Sequence, residues 1–363
     1  MQSRISHIKL YAAALALLVL GLVVAGCGSD SGSSSAATNG AATTTKSTGS
    51  SSSASSTKHV NLAIYLVATA NTHQQAARQG AEDAVKKMGN ASLHVFGANF
   101  VPKTQVAQVE AAAASRQYDG LIVNSVDGTV MPPAISKALA AGVKVVCGFS
   151  ICGPDQNKFA KQVDGVTAQI SADYSLVGKA IATALGKGCK DINPCKTIYL
   201  DGTPTLAADV TITKAFNEEI KKYPNIKIVG SGEGAFAAAP SYKVMKDLLQ
   251  AHPDIDAVAS PGDQMIVGTR QALDETPLRS KKVILIGDGA STLAAKGIQS
   301  GKWYADAILR PYNEGYLAAE ALINQIRGTG SIKPLVNSSL TPGIPELYLS
   351  KSSLEKFKPE WPG

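Results

Sequence analysis

The sequence has no block of five or six basic residues. Its 35 Lys+Arg against 28 Asp+Glu leave a net charge of +7. That excess is thinly spread, which argues against a nucleic-acid partner. The five cysteines fall in no zinc-ribbon spacing, and none of the five histidines belongs to a His-Glu-x-x-His pair. Both absences argue against a metal site. There is no Gly-x-Ser-x-Gly elbow, no Walker loop and no Gly-x-Gly-x-x-Gly opening a helix after a strand. Gly230-Ser-Gly-Glu-Gly234 has the wrong spacing and no lysine. An Asp-x-Asp-x-Asp-Gly cation loop is missing, and no glycosidase carboxylate pair is visible. The expectation is a protein without enzymatic activity, cofactor or metal. Apolar residues make up 45% of the chain, enough for real cores at a length that allows two domains.

The longest apolar run, Leu10 to Ala25, is shorter than the roughly 20 residues of a stable membrane span. Arg4 and Lys9 precede it, and Val24-Ala25-Gly26-Cys27 closes it. A positive start, a short apolar core and small residues at the end describe an export signal. Its end resembles the lipobox of bacterial lipoproteins. Residues 1–26 are therefore read as a lipoprotein signal peptide, with Cys27 as the acylated residue. Residues 28–58 are mostly Ser, Thr, Ala and Gly, which bury nothing. As a flexible tether they would hold a domain about 30 Å from the membrane. With Cys27 set aside, Cys147, Cys152, Cys189 and Cys195 remain, an even number that suits disulfides in an exported protein. Cys147 with Cys152 and Cys189 with Cys195 is the simplest pairing. Four cysteines allow two other connectivities.

From residue 60 short β runs alternate with amphipathic helices. The first round predicts strands at 60–67, 93–96, 121–124 and 143–147, with helices at 72–88, 103–117 and 131–141. Gly89 and Gly142 supply helix stops. The second round predicts helices at 172–187, 206–222, 241–251, 264–275, 292–299 and 312–327, between strands at 197–200, 226–229, 257–259, 283–286 and 304–309. Such alternation implies parallel sheets covered on both faces. Two rounds imply two doubly wound α/β lobes, which bind ligands at the carboxyl ends of their strands. Lobes that face one another make a cleft.

Several segments carry a family resemblance: Asn71 to Ala81; Tyr118-Asp-Gly-Leu-Ile-Val-Asn124; Val145-Val-Cys-Gly-Phe-Ser150; Ala251-His-Pro-Asp-Ile-Asp-Ala-Val-Ala-Ser-Pro-Gly-Asp263 with Met265 and Gly268; Ile286-Gly-Asp-Gly289; and Leu309-Arg310-Pro311. In order and spacing, residues 59–363 resemble a type I periplasmic binding protein of the ribose-binding group, which serves ABC transporters. The resemblance implies three crossovers, near 170–172, 309–311 and 339–343. One lobe would be 59–170 plus 311–340, the other 171–310 plus 341–363.

The resemblance also implies ligand residues. Asn71, His73 and Gln74 lie in the first loop, where relatives often carry aromatic residues at the latter two positions. Phe149 and Ser150 stand where ribose binders carry an Asp-Arg pair, so a charged sugar clamp is missing. That argues against a plain ribose or galactose binder. Asp209, or Val210 one residue on, occupies a position from which an Arg often reaches the ligand. Asp263 and Asp288 follow strands of the second lobe. Arg310, at a crossover, offers a hydroxyl or carboxylate contact, or a partner for Asp288. Trp303 and Tyr304 read as core.

The function expected is a lipid-anchored extracytoplasmic protein that captures a monosaccharide or polyol between its lobes and delivers it to an ABC permease. The alternative is a sensor that presents a bound sugar, nucleoside, autoinducer-like solute or carboxylate to a membrane receptor. Its place is the outer face of the cell membrane or the periplasm.

Overall fold

The computed structural model describes residues 58–363. The expected signal peptide, Cys27 and nearly all of the expected tether lie outside the described residues. Two six-stranded sheets organise the described chain, and each is the centre of one α/β lobe.

The first lobe starts with β1 (Val60–Leu66), α1 (Thr72–Met88), β2 (Ala91–Gly97), α2 (Pro102–Ser115), β3 (Gly120–Val123), α3 (Pro132–Ala140), β4 (Lys144–Gly148) and β5 (Ala168–Ser171). The second holds α4 (Tyr174–Gly188), β6 (Cys195–Asp201), α5 (Ala207–Glu219), β7 (Ile226–Glu233), α6 (Ala238–Ala251), β8 (Ala257–Ala259), α7 (Asp263–Asp274), β9 (Ile284–Asp288), α8 (Thr292–Gln299) and β10 (Ala305–Ala307). The chain then returns to the first lobe for α9 (Pro311–Arg327) and β11 (Leu335–Asn337), and ends in the second with β12 (Tyr348–Leu349). The sheet orders are β11-β5-β4-β3-β1-β2 and β12-β10-β9-β8-β6-β7. The chain therefore passes between the sheets after β5, β10 and β11.

The predicted elements recur with small shifts, but three short strands were not foreseen. β5 and β11 pair in parallel beside the crossovers, and β12 runs antiparallel to β10. The second sheet is thus mixed rather than wholly parallel. Strands of two to four residues are too short to show a period of two.

Local signals account for the helix ends. The Asn71 carboxamide accepts from the backbone N–H groups of His73 and Gln74, and so caps α1. Gly89 ends that helix with φ 63, where a side chain would be strained. α1 and α9 cover one face of the first sheet and cross closely. A Cβ at Gly80 would lie 1.9 Å from the Tyr312 carbonyl oxygen, and one at Gly315 would lie 1.9 Å from that of Ala77. Only glycine lets these backbones touch. Buried Val60, Leu62, Ile64, Ile122 and Val146 pack beneath these two helices. In the second lobe Trp303 joins Ile198, Leu249 and Leu285 in the core, while Tyr304 is partly exposed.

Disulfides join Cys147 to Cys152 and Cys189 to Cys195, with Cα atoms 5.9 Å apart in each. The simplest pairing is the one formed. The first closes the loop that carries Phe149 and Ser150.

Candidate functional site

The carboxyl ends of the strands in both sheets face a shared cavity of about 80 Å³, counted as space for the centre of a water-sized sphere. A single water needs roughly 10–15 Å³ on that measure, so the cavity fits a small organic solute. Asn71, His73, Gln74, Phe100, Asn124, Phe149 and Ser150 line it from the first lobe. Tyr174, Asp209, Phe236, Gln264 and Asp288 line it from the second, and Trp361 from the segment after β12.

The lobes touch at the lips of this cavity. The Asn71 carboxamide donates to the Phe236 carbonyl at 3.3 Å, and Gln264 Nε2 donates to Thr72 Oγ1 at 2.9 Å. Across the other lip, the Thr211 hydroxyl donates to the Gln156 carbonyl at 3.4 Å. This is the closed arrangement of a hinged pair.

On the first-lobe wall, polar groups are braced from behind. Asn124 Nδ2 donates to Gln74 Oε1 at 2.8 Å, and Gln105 Nε2 holds the Asn124 carbonyl at 2.7 Å. The Ser150 hydroxyl donates to the Ser125 carbonyl at 3.0 Å, and Gln169 Nε2 holds the Ser150 carbonyl at 2.9 Å. Burial pushes His73 down to about 4, so its ring is neutral at pH 7.

The aromatic lining is set by unusual backbone. Phe100, Phe149 and Phe236 have φ of 59, 62 and 49. A bulky residue seldom adopts the left-handed region, and each instance costs about 1–3 kcal/mol. All three rings line the one cavity, which places the strain at the site. The Tyr174 hydroxyl donates to the Phe149 carbonyl and helps hold that turn. Trp361 Nε1 donates to the Gly289 carbonyl at 2.8 Å, and the indole meets the His73 ring edge-on at 5.6 Å.

The second-lobe wall carries the acidic groups. Asp288 ends β9 and is buried, and neither of its carboxylate oxygens has a protein partner. Burial, then the neighbouring Asp263, Asp209 and Glu314 carboxylates, push it well above the ordinary range. Asp209, in the first turn of α5, accepts from the Gly202 and Thr203 N–H groups but leaves Oδ1 without a partner. Burial pushes it up to about 7.

Seven of the nine ligand residues expected from the sequence thus meet at the cavity: Asn71, His73, Gln74, Phe149, Ser150, Asp209 and Asp288. Two do not. Asp263 is wholly buried behind the wall; its Oδ2 accepts from the Ser291 N–H at 3.1 Å, and its carboxyl adjoins that of Asp306. Asp306 in turn accepts from the Ala290 N–H at 2.6 Å. The two carboxyls brace the loop after Asp288 from beneath. Arg310 turns from the cavity to Glu360, with Nε donating to Oε1 at 2.6 Å. It neither lines the cavity nor pairs with Asp288. Among the described residues no Lys or Arg lines the cavity, so nothing there offers a cation to an acidic ligand.

Sequence reasoning missed Phe100, Asn124, Tyr174, Phe236, Gln264 and Trp361. Asn124 ends a quoted strand motif and Gln264 follows one, so their places at strand ends were a usable signal. Trp361 lies in a Pro-rich tail with no periodicity.

Comparison with known proteins agrees with this architecture. Residues 62–330 match the model of the periplasmic binding protein domain. The chain belongs to the periplasmic binding protein family. It is 26% identical over 272 residues to the ribose import binding protein of Bacillus subtilis (strain 168), covering 75% of this chain and 83% of that protein. It is 28% identical over 285 residues to the galactofuranose-binding protein of Escherichia coli (strain K12), covering 77% and 85%. An ABC transporter solute binding protein from Bacillus halodurans C-125, solved with bound myo-inositol, superposes with a TM-score of 0.70 at 17% identity, covering 85% of this chain and 100% of that one. A periplasmic solute binding protein from Actinobacillus succinogenes 130z, solved with D-allose, gives 0.68 at 21%, covering 82% and 100%. These two structures share the fold.

The family is one of extracytoplasmic solute-binding proteins. Among the described residues no helix is long and apolar enough to cross a membrane, and no cluster of three or more His, Cys, Asp or Glu could hold a metal ion.

Proposed function

We propose that the protein captures a monosaccharide or polyol between its lobes and delivers it to an ABC permease, anchored to the membrane through a lipid on Cys27. The observation that carries this reading is the cavity itself. It joins unpartnered carboxylate oxygens on one wall, braced amides on the other and aromatic rings between them. Hydroxyl groups donate to carboxylates and exchange hydrogen bonds with amides, while C–H faces pack on rings. The related proteins named for ribose and galactofuranose support the same ligand class.

Binding needs no covalent step. A solute that touches both walls at once stabilises the closed state, and one that touches a single wall does not. Closure then presents both lobe surfaces together to the permease. The lipid anchor rests on the Val24-Ala25-Gly26-Cys27 sequence.

The test is thermal melting of the full chain in detergent, after unfolding and refolding to strip any carried solute. The panel holds pentoses, hexoses, polyols, nucleosides and amino acids. A ligand at 100 times its Kd adds about 2.7 kcal/mol, a rise of roughly 5–10 °C. A hit among sugars or polyols supports the reading. A hit confined to nucleosides or amino acids refutes the ligand class. For the anchor, Cys27→Ser is expected to release the protein from membranes; retention would refute lipidation there.

A further inference from the structure

The cavity is rich in acidic groups in a chain whose net charge is +7. Asp209, Asp263, Asp288, Asp306 and Glu314 are all buried around it. Among the described residues, none of the five makes an ion pair with Lys or Arg. Arg310 acts on Glu314 only at a distance, because Glu360 holds its guanidinium. With no cation beside them, burial drives such acids toward the protonated form, and a cation arriving in the cavity would restore the ionised one.

Four of them have protein partners at one oxygen each. Asp263 and Asp306 accept from the N–H groups of Ser291 and Ala290 respectively. Glu314 accepts from the Ser338 hydroxyl. Asp209 accepts from two backbone N–H groups. Asp288 receives nothing at either oxygen, although it is only 2% exposed and lines the cavity. Its carboxyl group is therefore open to a partner from a solute in the cavity.

Two features of the surroundings favour a cation there. Aromatic rings border the same space, and their faces attract positive charge. His73 is neutral, so no protein cation competes for Asp288. Two hydroxyls would satisfy the Asp288 oxygens but supply no positive charge. An ammonium group supplies the missing cation and holds Asp288 ionised, through hydrogen bonds about twice as strong as neutral ones.

We propose that the solute is a positively charged polyhydroxy compound, an amino sugar or amino cyclitol, whose ammonium group binds Asp288 while its hydroxyls meet Asp209 and the amides of Asn71, Gln74 and Asn124. This inference rests on the binding reading above and narrows its ligand class.

The test is calorimetric titration of the full, ligand-stripped chain with matched sets. One set is glucosamine, N-acetylglucosamine, glucose and glucuronate; a second is the galactose series; a third is an amino-inositol with myo-inositol. At least one amine is expected to bind tenfold or more tighter than its neutral parent. N-acetylation should remove that gain, and the acids should not bind. A neutral parent that binds as tightly as its amine, or an acid that binds, overturns the inference and leaves the sugar reading intact. No binding by any member removes the sugar reading as well. Asp288→Asn keeps the side-chain shape and removes the charge, so it should fold, bind the amine and its neutral parent within twofold of each other, and thereby show that the preference resides in this carboxylate. Asp288→Glu restores the charge and should restore part of the preference. An unchanged amine preference in Asp288→Asn overturns the assignment.

Discussion

Replacing Trp361 with Ala tests whether the segment after β12 is a wall of the binding cavity or a loose end. The indole is buried, donates to the Gly289 carbonyl at 2.8 Å and meets the His73 ring of the opposite lobe. The same segment is pinned on both sides of it. Glu360 accepts from Arg310 and from the Asn313 N–H, while the Trp361 and Pro362 carbonyls accept from the N–H groups of Thr292 and Leu293. Losing a buried Trp costs about 3–5 kcal/mol. Part of that is the stranded Gly289 carbonyl, about 1–3 kcal/mol, and part the aromatic pair, about 0.5–1.5 kcal/mol. At about 2–4 °C per kcal/mol for a domain of this size, melting should fall by roughly 10 °C. Ligand affinity should fall with it, because Gly289 adjoins Asp288 and the indole forms part of the wall. Trp361→Phe keeps a ring and loses only the hydrogen bond, so it should cost about 1–3 kcal/mol. Melting and titration of the two variants beside the parent provide the check. If Trp361→Ala melts and binds like the parent, the segment is no wall and the argument fails.

Other outcomes follow from the same contacts. Gly80→Ala should push α1 from α9, since its Cβ meets the Tyr312 carbonyl at 1.9 Å; a loss of about 2–3 kcal/mol is expected in denaturant unfolding, and a parent-like midpoint would contradict it. Burial pushes Glu314 up to about 8 from its ordinary 4.5. The folded state then holds a proton that the unfolded chain has lost, so stability is expected to fall as pH rises from 7.5 to 8, above the ordinary 6.5 at which His73 in the unfolded chain would oppose the trend. Melting temperatures across that window should show the slope, and Glu314→Gln should reduce it, leaving the share of the other buried carboxyls. Replacing both Cys147 and Cys152 with Ser should cost about 2 kcal/mol and weaken ligand binding through the Phe149 loop. The Cys189 and Cys195 pair, remote from the cavity lining, should cost about as much in melting while leaving affinity unchanged.

Much of the fold is legible in the sequence because its signals are local. The stretch from Thr72 to Met88 shows an apolar face and ends at a glycine, and the structure forms that helix between the Asn71 cap and Gly89. Thr292–Gln299 and Ala257–Ala259 form over the same residues as expected. Strands β5, β11 and β12 lie at the crossovers, where two to four residues pair only because distant segments arrive beside them. Their formation is a tertiary event.

The candidate site divides in the same way. The sequence by itself determined two α/β lobes, a charged residue at the end of a strand such as Asp288, and a polar first turn at Asn71 to Gln74. Periodicity, helix stops and strand ends are written in neighbouring residues. Only the tertiary structure decided which side chains share a cavity. Asp263 and Asp288 both lie at strand ends of one lobe, yet the Asp263 carboxyl fills the space left by the missing side chains of Gly287 and Gly289, while Asp288 between them lines the cavity. Arg310 is drawn off by Glu360, fifty residues on, and Trp361 reaches the cavity from a segment without regular structure. Such pairings depend on where the chain returns in space, and no local pattern encodes that.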